Sequence, residues 1–187
     1  MNVFAYCAAS FAPATRRIAG VEPMTCPPIN AVTFLQSNLR GHDLLYFDLH
    51  GAWEDCFWYG DDGQVALSMA NLAGARLGDA VVVAANCYLA EADSPMLDVL
   101  LNAGASYVIG GAGENFANRI TVAGAGLLAL WLRRFMELGF GPLHALLWAK
   151  RRVRVELLNP RAGLRRAAKD TLDFHAFYRR GALIDKR

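Results

Sequence analysis

The chain has 187 residues, of which 55% are hydrophobic and 19% charged, with a formal net charge of +2. That length supports one domain around its own core, and so apolar a composition excludes a chain that is disordered along most of its length. The small net charge conceals an asymmetry: from Lys150 onward there are 12 Lys/Arg against 4 Asp/Glu, and before it 7 against 13, so an acidic body carries a basic tail.

Met1 to Cys7 carries no basic residue ahead of its apolar run, which argues against a signal peptide. The most apolar stretch, Thr121 to Leu132, is about 12 residues long where a membrane span needs about 20. A buried helix and a cytoplasmic protein are expected. Cys7, Cys26, Cys56 and Cys87 show no C-x-x-C spacing, and His42, His50, His144 and His175 add no zinc pattern, so no metal and no cofactor are expected. The cysteine count leaves disulfides open, but a cytosolic setting would keep these thiols reduced.

In chain order, Val3 to Phe11 reads as a first strand, and a long connection punctuated by Pro13, Pro23, Pro27 and Pro28 follows. Asn30 is expected to cap a short helix with Val32, Leu35 and Leu39 on one face, ending at Gly41. Leu44 to Leu49 reads as a second strand, parallel to the first. Phe57 to Leu67 contains Asp62-Gly63 between apolar residues and predicts a hairpin. Ser68 is expected to cap a helix reaching about Leu77, and Val81 to Val83 gives the next strand. Ser94-Pro95 predicts a capped helix with Met96, Val99, Leu100 and Ala103 on its buried face and Gly104 at its end. Ala105 to Ile109 is a further strand, running into Gly110 to Gly113. Helices over Thr121 to Leu138, with a stripe of Leu127, Trp131, Phe135 and Leu138, and from Pro142 to about Leu157 complete the body. This alternation predicts an α/β fold, a mostly parallel sheet with helices on both faces.

Two residues with reactive side chains stand just after apolar runs: His50, with Gly51 behind it, after Leu44 to Leu49, and Cys87 after Ala80 to Asn86. The carboxyl edge of such a sheet is where α/β proteins place their sites. A buried structural thiol and a hydrogen-bonded strand-end histidine are the alternatives for each residue alone; the pairing at one edge favours chemistry. A thiol is only a small fraction thiolate at neutral pH, so a nucleophilic Cys87 needs a base, and His50 can supply it. The backbone N–H groups of Gly51 and Cys87 would then form the oxyanion hole. Asp48 falls on the same strand face as His50; a structural acceptor there is equally consistent, and no role is assigned to it.

Leu44 to Gly51, Val81 to Cys87, and Leu100-Leu101-Asn102-Ala103-Gly104-Ala105-Ser106-Tyr107-Val108-Ile109-Gly110 together resemble caspase-like cysteine peptidases of clan CD, closest to the bacterial CHAT-domain and gingipain-like branches. The resemblance spans roughly residues 43 to 155. It implies a caspase/haemoglobinase-like three-layer α/β sandwich over residues 1–157, followed by a basic C-terminal extension over 158–187. It also implies endopeptidase activity through a His50/Cys87 dyad, protein or peptide substrates, a regulatory protein partner, and selection of the substrate residue before the scissile bond. Metacaspase-like members place an acidic residue two positions before the cysteine; here that position is Ala85, which leaves basic specificity without its usual residue. Ala85, Asn86, Glu91, Asp93, Gly111 and Glu114 are the candidates for substrate binding at this edge, with solvated loop carboxylates the alternative for the acidic ones.

Gly110 to Gly113 lacks the lysine of a phosphate loop and the third glycine of a dinucleotide fingerprint, so it reads as a wall of the cleft. In the tail, Arg151, Arg152, Arg161, Arg165, Arg166, Arg179 and Arg180 lie among Phe174, Phe177 and Tyr178, as in single-strand binders. Leu157, Leu158, Leu164, Leu172 and Leu183 run through it too, which favours docking on the acidic body or a partner over nucleic acid. No membrane association is expected.

Overall fold

A computed structural model describes residues 1–91, 93–115, 118–157 and 174–178. Strands β1 (Val3–Ala8), β2 (Met24–Cys26), β3 (Leu44–Asp48), β7 (Val81–Ala84), β8 (Tyr107–Gly111) and β9 (Phe174–Tyr178) form a mixed six-stranded sheet in the order β2-β1-β3-β7-β8-β9. All neighbours are parallel except β8 and β9. A second, antiparallel sheet comprises β4 (His50–Gly51), β5 (Phe57–Tyr59) and β6 (Val65–Ser68).

β3, β7 and β8 are built almost entirely of buried residues, as strands covered on both faces must be. Their alternating side chains divide the core in two. Leu45, Phe47, Val82 and Val108 enter a cluster with Leu72, Met96 and Leu100, from helices α2 (Met69–Leu72) and α3 (Pro95–Asn102). Leu44, Tyr46, Val81, Val83 and Ile109 enter the other, with α1 (Ala12–Ala19), α4 (Ala125–Glu137) and α5 (Pro142–Leu157). Among the described residues no helix is long and apolar enough to cross a membrane.

Several sequence expectations change. The connection after the first strand contains α1 and β2, because Pro13 sits in the first turn of α1, where its missing N–H costs nothing. The first strand itself stops at Ala8 and turns into a short 3₁₀ segment, Ala9–Phe11. Asn30 caps no regular helix: its Oδ1 accepts from the N–H groups of Val32 and Thr33 in a local turn, and Val32 and Leu35 are exposed while Phe34 and Leu39 are buried. The helix after Ser68 ends at Leu72, although Ser68 and Asn71 form the reciprocal cap that starts it. Ser94 makes no capping hydrogen bond, and Pro95 alone marks the start of α3.

The buried face of α4 is Ala125, Leu128, Ala129 and Leu132, with Leu127 at its margin and Leu138 exposed. Small residues drive this shift. A Cβ on Gly126 would fall 2.6 Å from Ile18 Cδ1, so α4 lies close against α1 on its small-residue face and the larger Trp131 and Phe135 move to the side. The sixth strand, β9, comes from the segment read as the extension, pairing Tyr107 with Tyr178 and Gly111 with Phe174. Arg161, Arg165, Arg166, Arg179, Arg180, Leu158, Leu164, Leu172 and Leu183 of that segment lie outside the described residues.

Candidate functional site

The ends of β3 and β7 are joined by backbone and side-chain bonds. Beyond the last register pair, Phe47 with Ala84, the Ala85 N–H donates to the Phe47 carbonyl at 2.8 Å. Asn86 is completely buried, and its Oδ1 accepts from the Leu49 N–H at 2.8 Å. This bond satisfies the backbone where β3 leaves the sheet. His50 and Gly51 then belong to β4, opposite Tyr59 and Trp58, so the histidine is carried by the small sheet rather than by the end of the large one.

Cys87 lies on a turn whose next residue, Tyr88, has φ +60°. A left-handed conformation at a bulky residue must be imposed by its surroundings. Those surroundings are the loop after β8: the N–H groups of Tyr88 and Ala90 each donate at 2.9 Å, to the carbonyls of Gly113 and Gly111 respectively. The same loop brings Asn115 to the sulfur. Its N–H donates to Cys87 Sγ at 3.3 Å, and its Nδ2 donates to the Asn86 carbonyl at 2.6 Å. On the opposite side Gly51 is pressed against the Cys87 turn, so that a Cβ there would stand 2.4 Å from the Cys87 carbonyl oxygen. Glycine is needed at 51 for this approach.

His50 and Cys87 face one cavity of about 210 Å³, which Phe11, Asp48, Leu49, Ala85 and Asn115 complete. The imidazole is exposed and packs at 5.1 Å, centroid to centroid, from the Phe11 ring, while Cys87 is half-buried. Burial pushes the Cys87 thiol up, and the Glu114 carboxylate adds to the rise; the N–H groups of Asn115, of Cys87 itself and of Gly51 oppose it. Cys87 is therefore a neutral thiol at rest, near three backbone donors. A larger cavity of about 600 Å³ shares His50 but not Cys87 and is lined by Ser10, Tyr59, Asp61, Asp62 and Arg119 among others. Ser10 donates to Asp61 from both its N–H and its hydroxyl, at 2.7 Å each.

Asp48, 3% exposed, occupies the inner wall of the smaller cavity. Thr15 Oγ1 donates to its Oδ2 at 2.9 Å. Burial pushes its carboxyl up to about 6, against the Thr15 bond and the nearby Tyr46 hydroxyl, which is buried without a hydrogen bond of good geometry.

Of the residues read from the sequence, the structure thus brings together His50, Gly51, Ala85 and Cys87. Asn86 supports the turn with its carbonyl and Oδ1, and its buried Nδ2 has no hydrogen-bond partner among the described residues. Glu91 and Asp93 stand on the turn before α3, and Glu114 accepts from the Tyr88 hydroxyl at 3.3 Å; neither they nor the buried Gly111 line either cavity. Asn115 and Phe11 were not foreseen. The one sequence signal for Asn115 is a polar side chain just after the glycine run, 28 residues from Cys87. Among the described residues no group of three His, Cys, Asp or Glu comes together as a metal site. No protein-family model matches this chain, and no curated protein matches it.

Proposed function

We propose that this chain is a cysteine endopeptidase of the caspase-like kind, a three-layer sandwich whose His50 and Cys87 form the dyad. The observation that carries the reading is one cavity lined by both His50, at the start of β4, and Cys87, on the turn after β7. Because the resting thiol is neutral, its proton leaves as the substrate arrives: His50 takes it while Cys87 sulfur bonds to the scissile carbonyl carbon. The carbonyl electron pair moves onto oxygen, which the N–H groups of Gly51 and Cys87 stabilise. The intermediate collapses, the C–N bond breaks, and the leaving amine takes the proton from His50. Water, deprotonated by His50, then attacks the thioester and releases the acid and the free thiol.

Labelling with peptidyl electrophiles tests this directly. Wild type should incorporate the probe at Cys87, Cys87→Ala should not, and His50→Ala should react slowly. Absence of Cys87-dependent labelling by any probe overturns the reading. A second reading, a caspase-like module that binds a partner without cutting, draws on the exposed Leu138, Phe140, Leu143, Leu147 and Trp148 around the α4–α5 connection. It predicts partner binding that Cys87→Ala leaves unchanged, and no peptide turnover.

A further inference from the structure

α5 is apolar on two faces. Ala145, Leu146, Ala149 and Val153 are buried in the core on the α1 and α4 side of the sheet, while Leu143, Leu147, Trp148 and Val155 of the same helix are exposed. A surface helix ordinarily needs only one such stripe. With Leu138 and Phe140 on the connection from α4, six of the thirteen exposed large apolar side chains among the described residues fall between positions 138 and 155. They form one patch, because the Phe135 ring links its neighbours: its centroid lies 5.7 Å from that of Phe140, 6.5 Å from Trp148 and 6.0 Å from Trp131. The patch also projects. A Cβ on Gly139 or Gly141 would meet nothing within 4 Å, and Leu138 between the helices is 73% exposed. Large apolar groups gathered in this way mark a surface that something covers.

The margin of the patch is basic. The acidic residues of the two helices, Glu137 and Glu156, are paired with Arg133 and Arg152. Arg134 and Arg152 stand over the Trp131 ring at 5.0 and 4.8 Å, and Arg151 over Trp148 at 4.9 Å. Arg151 and Arg154 are exposed beside the apolar stripe, and between positions 150 and 169 there are 8 Lys/Arg against one Glu. This charge narrows the choice of occupant. A second copy seated on the same face by a two-fold axis would set these arginines against each other. A nucleic-acid strand would stack its bases on the aromatic rings, but arginines already lie over both indoles, and Leu138, Leu143 and Leu147 offer a strand nothing. An anionic bilayer suits every part: apolar side chains enter the acyl boundary, indoles sit at the level of the headgroups, and arginines meet lipid phosphates.

We propose that the α4–α5 connection and the outward face of α5 dock this chain on the surface of an anionic membrane. Leu138, Phe140, Leu143, Leu147 and Trp148 enter the interface, and Arg151 and Arg154 bind the headgroups. The assignment goes beyond the peptidase reading and holds whether or not Cys87 cuts. It departs from the expectation of no membrane contact, which followed from the shortness of the apolar stretch: length limits crossing, and a helix lying in the interface needs none of it. The two signals reinforce each other, since each Lys or Arg brought near an anionic surface strengthens binding about fivefold.

The test is flotation of the full chain with vesicles of phosphatidylcholine alone or mixed with phosphatidylglycerol, in low and high salt. Wild type should bind the mixed vesicles on the order of 10²-fold more tightly than the neutral ones, and lose most of that margin in high salt. Leu147→Glu with Trp148→Glu, both at exposed positions, should weaken binding to mixed vesicles by at least about tenfold while melting like wild type. Arg151→Glu with Arg154→Glu should remove the preference for anionic lipid, and Val32→Glu, at an exposed apolar position elsewhere, should change nothing. Equal binding to both kinds of vesicle, or flotation with neither, overturns the proposal. If the helix variants float like wild type and neutralising Arg165 and Arg166 abolishes flotation, the tail binds by charge alone and the face is not the site. The proposal also fails if wild type self-associates without lipid and Leu147→Glu with Trp148→Glu does not, or if those changes abolish binding of a single-stranded oligonucleotide and leave flotation intact. Electrophile labelling of Cys87 on the same preparations keeps the two readings apart: its absence with flotation intact sinks the peptidase alone. The wild-type comparison between lipids needs no variant, so a chain that does not fold cannot shield the proposal.

Discussion

Replacing Gly51 by alanine isolates the contact on which the proposed geometry depends. The new Cβ would lie 2.4 Å from the Cys87 carbonyl oxygen and 3.4 Å from the Cys87 nitrogen and carbonyl carbon. Ordinary van der Waals contact begins at about 3.4 Å, so the β4 backbone and the cysteine turn must separate by about 1 Å. The partner atom belongs to the backbone, and the turn is fixed on its other side by Asn115 and by bonds to Gly111 and Gly113, so little of that movement can be absorbed by a side chain. Overpacking of this kind costs about 1–3 kcal/mol, which for a chain of this size lowers Tm by about 2–12 °C. A displacement of about 1 Å between reacting groups lowers turnover by about 10²-fold. Thermal melting and the kcat/KM of the best peptide, measured on the same preparation of Gly51→Ala, separate the two effects. A variant that melts as expected but cleaves within about threefold of wild type would refute the claim that the Gly51 approach positions the nucleophile.

Other outcomes follow from the polar groups around the cavity. Because burial raises the Asp48 carboxyl from 3.8 to about 6, the folded state holds that proton more tightly than the unfolded one. Its stabilising contribution is full below about pH 4 and is lost as pH rises through 6, a difference of about 3 kcal/mol by pH 8. Asp48→Asn keeps an acceptor for Thr15 and removes the charge, so it should melt above wild type at pH 8, by on the order of 5–10 °C, and lose that slope with pH; a variant melting below wild type at pH 8 would show the carboxylate to be well compensated after all. Thr15→Val removes the donor to the same carboxylate and should cost about 1.5–3 kcal/mol at pH 8 and less at pH 4, read from urea unfolding at both pH values. Asn86→Ala leaves the buried Leu49 N–H without its partner and should cost about 1–3 kcal/mol; an unchanged urea midpoint would mean that water replaces the side chain.

The parts of this fold that could be read from the sequence are those where local pattern and tertiary demand agree. β3 and β7 are continuous apolar runs because both faces of the sheet are covered, and Asp62-Gly63 turns the β5–β6 hairpin as its chemistry requires. α1 was hidden because proline signals both a helix start and a loop. The face of α4 was misplaced because large side chains dominate a periodicity that close packing through Gly126 overrides. At the site, the strand ends located His50 and Cys87, yet nothing local reveals that Asn115 returns to the sulfur or that Asp48 lines the cavity. Those are consequences of strand order, which side-chain periodicity does not encode.

β9 changes what a minimal version of this protein can be. A cut at position 157, where the basic tail invites one, would remove the partner of β8 and leave Tyr107 to Gly111 with one row of N–H and C=O groups unpaired. Val108 and Ile109 on that strand are fully buried, and so is Phe174, which would be lost with β9. Such a fragment would present a sticky apolar border to other copies of itself and should form oligomers or precipitate. The same border lies one strand from Cys87, since β8 pairs with β7 and leads into the loop that holds Asn115. Shortened forms made for expression, tagging or crystallisation should therefore keep residues 174–178.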